Sequence, residues 1–418
     1  MKLNDWLKLL EPGIGIKRWL FLIIIGILFF IGASLFFINS IFSIKNIDWK
    51  DFSLFSLILT CIFTVIGIFF FFWGLKSLLK QIVELTRTDP NSRLIELLYN
   101  QKLKNKGFKI LGIGGGTGLS SLLKGLKEIT GDITAIVTVS DDGGSSGRLR
   151  KDLGIIPPGD IRNCLIALAD EEKLLTDLFR YRFKEGELEG HNFGNLFLTV
   201  LSDITGDFEK GIQESSKVLA IRGQVLPVSL ENITLQAEMK DGSIITGESK
   251  ITEYGGDIRK LNLIPELPVP VPEVLTKIKE ADAIIIGPGS LYTSILPNLM
   301  IKDIVKTLKE SKAPKLYVCN IMTQPGETLN YKASDHVKAI YNHTKEQIFD
   351  YILVNNKPPK QLIEKYKEQK SIPVEIDLNE LKKLGLKVIE ADLLEEKETI
   401  RHSPEKLANN IAKWLISL

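Results

Sequence analysis

Glycine and hydroxyl residues gather in this sequence where an apolar run gives way to a helical pattern. The first such segment, GIGGGTG at 112–118, follows the β-branched run 109–113. Glycines let a backbone approach a ligand closely, and a helix N-terminus offers free N–H groups and partial positive charge. GxxxxGK[ST] is absent, and Thr117 and Leu119 stand where the third glycine of GxGxxG belongs. We therefore predict a phosphate-binding loop of neither standard type, with an ordinary tight turn as the alternative. The residues expected to bind are Gly114, Gly115, Gly116, Thr117 and Gly118.

An acidic segment, SDDGGSSGR at 140–148, follows the next apolar run. The carboxyl ends of adjacent strands face one crevice in a doubly wound sheet, so this segment should lie beside the first glycine loop. Asp141 and Asp142 could hold Mg²⁺ or meet a ribose or sugar hydroxyl, and they are the two candidates for catalysis. Arg148 could pair with a phosphate. The alternative is an Asx-type turn with solvated carboxylates.

Four further polar loops could line the same crevice. PPGDIRN at 157–163 opens a helix, and Asp160 would suit its N-cap. GHNFGN at 190–195 includes His191, which is either a proton carrier or a structural side chain. GPGSLYTS at 287–294 predicts a second phosphate or nucleoside cradle with a tyrosine to stack on a base or sugar, and NIMTQPGE at 320–327 is similarly polar. Several such loops favour one extended ligand over one ion. Their candidate contacts are Asn163, Asn192, Asn195, Gly287, Gly289, Ser290, Tyr292, Thr293, Asn320, Thr323 and Gln324.

Short apolar strands alternate with helical patterns from residue 108 onward. This alternation predicts an α/β, doubly wound, Rossmann-like and mainly parallel sheet. Between 224 and 263 the pattern changes to short strands around Lys240-Asp241-Gly242, which predicts a β-hairpin insertion in the same domain. The predicted strands are 109–113, 133–139, 283–286, 316–319, 351–354 and 387–389. The predicted helices are 120–129, 161–169, 196–204, 208–219, 302–309, 334–341 and 404–416.

The amino-terminal part carries two runs without a charged residue, 20–42 and 53–75. As helices they would each extend about 34 Å, enough to cross a hydrocarbon core of about 30 Å. Basic residues precede the first run and follow the second, which predicts a multi-pass protein of the cytoplasmic membrane with both termini and the α/β domain in the cytoplasm. The expected divisions are a cytoplasmic N-terminus 1–19, a transmembrane hairpin 20–75, a juxtamembrane helical linker 76–107 and a ligand-binding domain 108–418.

Overall composition excludes some other classes of protein. The net charge of +2 argues against bulk nucleic-acid binding. The three cysteines have no CxxC spacing, so they predict neither a disulfide framework nor a zinc site. GxSxG, HExxH and kinase signatures are absent.

Six segments together resemble the YvcK/CofD family: GIGGGTGLS, TVSDDGGSSGRLR, PPGDIRNCLIALAD, GHNFGNLFL, IIGPGSLYTSILPNL and CNIMTQPGET. The resemblance implies one of two activities. CofD-like members are 2-phospho-L-lactate transferases that use a deazaflavin precursor, a nucleotide-linked phospholactate and a divalent metal. YvcK-like members bind UDP-sugars such as UDP-N-acetylglucosamine and regulate cell-wall precursor supply and cell shape during gluconeogenic growth. The second and sixth segments look like the YvcK branch.

The resemblance also implies roles for particular residues. Residues 114–118 would contact the ligand near its phosphates. Asp141 and Asp142 match the acidic, metal-associated loop of the transferases, and Tyr292 matches a tyrosine implicated in UDP-sugar binding. We expect a membrane-tethered nucleotide-sugar-binding regulator, homo-oligomeric and signalling to a cell-wall synthesis protein, with a CofD-like transferase as the alternative. Binding would require no cofactor, and Asp141 would be the ligand if Mg²⁺ is bound.

Overall fold

The structure, a computed structural model, describes residues 16–44, 50–88, 107–169 and 173–418. The chain divides into two compact units, Met1–Lys106 and Gly107–Leu418. The greater part of the predicted N-terminal segment and the basic end of the predicted linker lie outside the described residues.

Two long helices make up the described part of the amino-terminal unit, α1 (Ile16–Ile44) and α2 (Lys50–Thr88). Their stretches Arg18–Ile38 and Leu57–Leu78 are long and apolar enough to cross a membrane. Only 11% of each stretch is buried, unlike a helix in the core of a soluble domain. Helix α2 continues without a break past residue 75, so the first part of the predicted linker belongs to the same helix as the second apolar run.

Glycines let the two apolar helices approach closely. A Cβ placed on Gly26 would lie 2.8 Å from the backbone nitrogen of Phe71, and one on Gly74 would lie 3.0 Å from the carbonyl oxygen of Trp19. These contacts pair the start of α1 with the end of α2, so the helices run antiparallel. Small residues at such a contact are typical of helices that associate in a lipid environment, where close packing replaces the hydrophobic effect.

The second unit alternates strands and helices, as the sequence predicts. Its strands are β1 (Ile110–Gly114), β2 (Ile133–Val137), β3 (Gln224–Pro227), β4 (Thr234–Met239), β5 (Ile244–Thr246), β6 (Ile258–Ile264), β7 (Ala283–Ile286), β8 (Lys315–Val318), β9 (Tyr351–Asn355), β10 (Lys387–Ala391), β11 (Leu394–Glu396) and β12 (Ile400–His402). Its helices are α3 (Gly116–Leu126), α4 (Gly144–Leu153), α5 (Gly159–Leu168), α6 (Lys173–Arg180), α7 (Phe193–Thr205), α8 (Phe208–Val218), α9 (Glu248–Tyr254), α10 (Pro272–Glu280), α11 (Leu296–Leu299), α12 (Lys302–Glu310), α13 (Ala333–Thr344), α14 (Ile363–Glu368), α15 (Leu378–Lys383) and α16 (Pro404–Ser417). A π-helical turn, Leu291–Ile295, precedes α11.

A seven-stranded parallel sheet forms the centre of the described part of this unit, in the order β10-β9-β8-β7-β1-β2-β3. Strand β1 pairs with β2 on one side and with β7 on the other, with Ile110 opposite Ile133 and Ala283. All residues of these three strands are buried, as expected for parallel strands covered on both faces. The predicted doubly wound α/β class is confirmed.

The insertion contains the predicted β-hairpin, because β4 and β5 pair antiparallel on either side of Lys240-Asp241-Gly242. Its antiparallel sheet has the order β5-β4-β6, and helix α9 lies between β5 and β6 in the chain. Strand β3, which we included in the hairpin, pairs instead in parallel with β2 at the edge of the central sheet. The prediction was therefore wrong about where the insertion begins and about its third strand.

Candidate functional site

The crevice lies where the strand order of the central sheet reverses, between β1 and β7. Loops that follow β1, β2, β7 and β8 meet at this edge, the usual ligand position in doubly wound sheets. Buried Asn298 ties two of them together, because its Nδ2 donates hydrogen bonds to the carbonyl oxygens of Gly114 (3.1 Å) and Ser294 (2.8 Å). Asn320 adds the loop after β8 by donating to the carbonyl oxygen of Gly289 at 2.8 Å.

Packing within the protein explains glycines of the first loop. A Cβ on Gly115 would lie 2.5 Å from Cγ2 of Thr138, and one on Gly118 would lie 2.2 Å from the carbonyl oxygen of Pro288. Gly116 has φ +59°, in the left-handed region that favours glycine. Close packing and backbone conformation therefore account for these three glycines without a ligand. Thr117 is exposed on the first turn of α3, and phosphate binding by this loop stays a prediction.

Asp160 faces the first glycine loop, a position that the sequence did not reveal. We predicted it as the N-cap of α5, but the N-cap is Pro158 and Asp160 lies in the first turn. Burial, with the nearby charge of Asp141, raises the pKa of Asp160 from 3.8 to about 7, while a hydrogen bond from the backbone of Gly116 and the charge of Arg162 oppose the rise. The start of α3 therefore already has a carboxyl group of the protein beside it.

The acidic segment divides into a turn and a helix. Oδ1 of Asp141 accepts a hydrogen bond from the backbone N–H of Gly143 at 2.9 Å, and α4 begins one residue later. Oδ1 of Asp142 accepts hydrogen bonds from both the backbone N–H and the hydroxyl of Ser249, each 2.8 Å. Asp142 thus holds the insertion against this segment instead of standing free for a ligand.

The insertion contributes an acidic group, Glu248, to the crevice. Glu248 accepts a hydrogen bond from the hydroxyl of Ser140 at 3.2 Å. Burial, with the charges of Asp160 and Asp141, raises the pKa of Glu248 well above 4.5. Among the residues that the structure describes, no group of three or more His, Cys, Asp or Glu side chains is arranged to hold a metal ion. Mg²⁺ at Asp141 stays a prediction.

Asparagines join the acidic segment to α5 and α7. Oδ1 of Asn192 accepts from the backbone N–H of Asn195 and caps α7. Oδ1 of Asn195 accepts from Arg162 at 2.8 Å, and its Nδ2 lies 3.3 Å from the hydroxyl of Ser146. Both asparagines are 2% exposed, and Oδ1 of Asn163 accepts from Arg162 at 2.7 Å. These predicted ligand contacts are engaged in holding the wall of the crevice.

His191 and Arg148 lie at the outer end of that wall. Nδ1 of His191 is 3.3 Å from the hydroxyl of Ser145. Partial burial, with the charges of Arg148 and Arg182, lowers the pKa of His191, while the charge of Asp152 opposes the shift. Arg148 is exposed and donates to the carbonyl oxygen of Glu189 at 2.8 Å.

The second glycine loop, at 287–290, is also contacted by a carboxyl group of the protein. Glu327 accepts hydrogen bonds from the hydroxyl of Ser290 and from the backbone N–H of Tyr292, the latter at 3.2 Å. The hydroxyl of Thr293 donates to that of Ser290 at 2.7 Å. Burial raises the pKa of Glu327. The predicted second cradle also includes Gly287 and Gly289. Its two hydroxyl residues, Ser290 and Thr293, form hydrogen bonds within the protein.

Tyr292 does not present its ring to the crevice. Its side chain is 2% exposed, and its hydroxyl lies 2.9 Å from that of Tyr331. The ring meets His343 edge-on, with 5.8 Å between ring centroids. The sequence predicted that Tyr292 stacks on a base or sugar, but in this structure its ring has no open face with which to do so.

Residues of the loop after β8 divide between the crevice and the neighbouring backbone. The Nδ2 of Asn320 is 3.2 Å from Oε1 of Gln324, and both residues keep partial exposure. Thr323 is 1% exposed and its hydroxyl accepts from the backbone N–H of Ile372 at 3.0 Å. Asn320 and Gln324 therefore stay candidates for contact, whereas Thr323 supports the loop.

Four charged residues of this region were absent from the predicted set of ligand contacts: Asp160, Arg162, Glu248 and Glu327. Asp160 and Arg162 lie within the quoted segment 157–163, so their charge was the available signal. Glu248 comes from the insertion, and only the fold brings it to the crevice. Glu327 ends the quoted segment 320–327, but its burial could not be read from the sequence.

The fold defines a class: doubly wound α/β proteins with polar loops at the strand-order reversal of a parallel sheet. Residues 110–394 match the family described as "2-phospho-L-lactate transferase CofD". The chain belongs to this CofD family.

Relatives and solved structures agree with this assignment. A Bacillus subtilis protein named "Gluconeogenesis factor" is 53% identical across 73% of this chain and 98% of its own length. A Nostoc sp. protein is 48% identical across 99% of this chain and 93% of its own. A crystal structure of a UPF0052 family member from Bacillus halodurans matches with a TM-score of 0.71 and 50% identity, covering 73% of this chain and 99% of that chain.

Proposed function

We propose that this chain is a nucleotide-sugar-binding regulator of the UDP-N-acetylglucosamine type, acting on cell-wall precursor supply, cell shape and gluconeogenic growth. The name of the Bacillus subtilis relative supports a role in gluconeogenic growth. The observation that carries the binding role is the meeting of four polar loops at the strand-order reversal of the sheet, where Asn298 and Asn320 join them by hydrogen bonds. Binding would be regulatory, with a cell-wall synthesis or signalling protein receiving the signal.

The engagement of the crevice carboxylates favours binding over catalysis. Asp142 holds the insertion, Glu327 holds the second glycine loop, and Asp141 closes a turn. A general acid or base must reach the reacting atoms of the substrate. Carboxylates committed to contacts within the protein are less suited to that task.

A CofD-like 2-phospho-L-lactate transferase is the second candidate. The observation in its favour is the cluster of Asp141, Asp160 and Glu248, in which burial and mutual repulsion raise the pKa of the last two. Perturbed carboxylates in a cleft are a feature of catalytic sites. Such an enzyme would need Mg²⁺ to neutralise the charge on the nucleotide diphosphate.

Calorimetry on the full-length chain in lipid nanodiscs tests the binding role. UDP-N-acetylglucosamine should bind, and UDP and GDP serve as controls for the sugar and the base. Absence of binding at millimolar ligand contradicts the proposal. Incubation with a deazaflavin acceptor, a guanosine-linked phospholactate and Mg²⁺ tests the transferase activity. If no product forms, that activity is excluded for this chain.

Helices α1 and α2 would anchor the protein in the cytoplasmic membrane as a hairpin. Their length, apolar composition and low burial support this, and the basic residues that flank the two apolar runs support cytoplasmic termini. A reporter that fluoresces only in the cytoplasm, fused to the C-terminus, should be bright in the membrane fraction. A dark fusion, or one recovered in the soluble fraction, contradicts the anchor.

A further inference from the structure

Three arginines from separate segments donate hydrogen bonds to the stretch 189–195, which ends in the first turn of α7. Arg148 of α4 donates to the carbonyl oxygen of Glu189 at 2.8 Å, and Arg182, after α6, donates to that of Gly190. Arg162 of α5 donates to Oδ1 of Asn195 at 2.8 Å. We call Arg148, Arg162 and Arg182 the arginine cluster.

The positive charge of this cluster is not matched by an ion pair. Within the described ranges, no carboxylate lies within 4 Å of any of the three guanidinium groups, and their hydrogen-bond acceptors are carbonyl and amide oxygens. The Nε of Arg162 is buried and has no hydrogen-bond partner among the described residues. A buried donor left without an acceptor is costly, so Arg162 carries one N–H group that the described residues leave unused.

The charge of Arg182 acts on Arg162, and the charges of Arg148 and Arg182 both act on His191. Burial, then the charge of Arg182, lowers the pKa of Arg162 to about 10, although Asp160 and Asp141 act in the opposite direction. Neighbouring arginines also lower the pKa of His191. Like charges held together raise the free energy of the folded protein, and an anion placed among them would relieve that repulsion.

The two glycine loops are less suited to a doubly charged group. Asp160 lies beside the backbone of Gly116 at the first loop, and Glu327 accepts the hydrogen bonds of Ser290 and Tyr292 at the second. A phosphate at either position would compete with a carboxyl group of the protein for the same N–H and hydroxyl donors. The arginine cluster offers positive groups on this wall that no carboxylate among the described residues pairs with.

We propose that the arginine cluster is the subsite that binds the diphosphate of the ligand. This inference rests on the proposed function, because the diphosphate is the anionic part of a nucleotide sugar. Planar guanidinium forks match phosphate oxygens in two-point hydrogen bonds. The hydroxyls of Ser145 and Ser146 lie on the same wall, so the glycine loops are left to position neutral parts of the ligand.

Calorimetry on the full-length chain in nanodiscs, with UDP-N-acetylglucosamine and with inorganic pyrophosphate, tests the subsite. Arg148→Gln and Arg182→Gln should each weaken UDP-N-acetylglucosamine about ten- to hundredfold, the effect of losing a charged hydrogen bond. Arg162→Lys keeps the charge but loses the fork, so its affinity should fall by a smaller factor. The control Arg259→Gln removes one positive charge that is paired with Glu238 in the insertion, and it should leave affinity within twofold.

The outcomes separate this inference from the proposed function. If wild-type protein binds UDP-N-acetylglucosamine and Arg148→Gln and Arg182→Gln bind equally well, the subsite is wrong and the proposed function stands. If wild-type protein binds only pyrophosphate, and these two variants lose it, the subsite stands and the nucleotide-sugar proposal fails. Arg148 is exposed, so its variant should fold, and unchanged thermal unfolding would establish that its loss of affinity is local.

Discussion

Replacing Asp142 by alanine removes the acceptor that holds the insertion against the acidic segment. Its Oδ1 accepts two hydrogen bonds from Ser249, both 2.8 Å long. A hydrogen bond to a charged group contributes about 1.5–3 kcal/mol, and here the two share one half-buried oxygen, so we expect a loss of about 2–4 kcal/mol in the free energy of unfolding. At about 2 °C for each kcal/mol in a domain of this size, the Tm should fall by about 4–8 °C.

Asp142→Asn is the matched control, because the amide keeps an oxygen acceptor and loses only the charge. If Asp142 fastens the insertion, the asparagine variant should stay within about 1 kcal/mol of wild-type stability. If Asp142 instead binds a metal or performs catalysis, asparagine should impair that activity as strongly as alanine. Thermal unfolding by circular dichroism measures the first quantity, and calorimetry with and without Mg²⁺ measures the second.

Hydrogen exchange locates the effect within the domain. In Asp142→Ala, amides of the insertion strands β4 and β6 should exchange faster, while those of β1 and β7 in the central sheet should keep their protection. Equal destabilisation by alanine and asparagine would refute the reasoning from the shared Oδ1 acceptor. So would an alanine variant with unchanged Tm and unchanged exchange in the insertion.

Three further predictions concern packing, pH dependence and recognition. Gly118→Ala would place a Cβ 2.2 Å from the carbonyl oxygen of Pro288, so it should lower the Tm by several degrees in thermal unfolding. The control Gly131→Ala places its Cβ in open space and should change stability by less than about 0.5 kcal/mol. Burial lowers the pKa of His402 from 6.5 to about 4. Between these two pH values the unfolded chain binds a proton that the folded chain does not. The free energy of unfolding should therefore fall by about 3 kcal/mol as the pH drops from 6.5 to about 4. His402→Gln should remove that part of the pH slope in urea titrations. Tyr292→Phe should cost about 1 kcal/mol of stability in the same titrations and leave the Kd for UDP-N-acetylglucosamine within twofold, because the hydroxyl bonds within the protein.

The central sheet could be predicted because its strands are short apolar runs buried on both faces. The predicted strand 283–286 has the same bounds as β7, and 133–139 contains β2. Strand β3 was assigned to the insertion, since its sequence adjoins it. Its actual partner is β2, far away in the chain, and pairing over such a distance leaves no local pattern to read.

The site was harder to predict for the same reason. The segment GGSSG at 143–147 resembles a loop, because glycine and serine favour helices weakly, yet α4 begins at Gly144. Tertiary contacts decide its conformation. A Cβ on Gly147 would lie 1.9 Å from the carbonyl oxygen of Asp142, and Asp142 is itself fixed by Ser249, 107 residues along the chain.

Carboxylates of the protein at helix N-termini explain why a glycine loop indicates an anion site but does not identify the anion. The N-terminus of a helix attracts negative charge whether that charge belongs to a ligand or to the protein. Here Asp142 bonds the start of α9, Asp377 bonds the start of α13, and Glu327 bonds the turn that begins at Leu291. A glycine loop in a sequence shows that a backbone can approach an anion closely, but not which anion is there. We therefore expect phosphate affinity to follow the number of arginines in the arginine cluster more closely than the number of glycines in the loops.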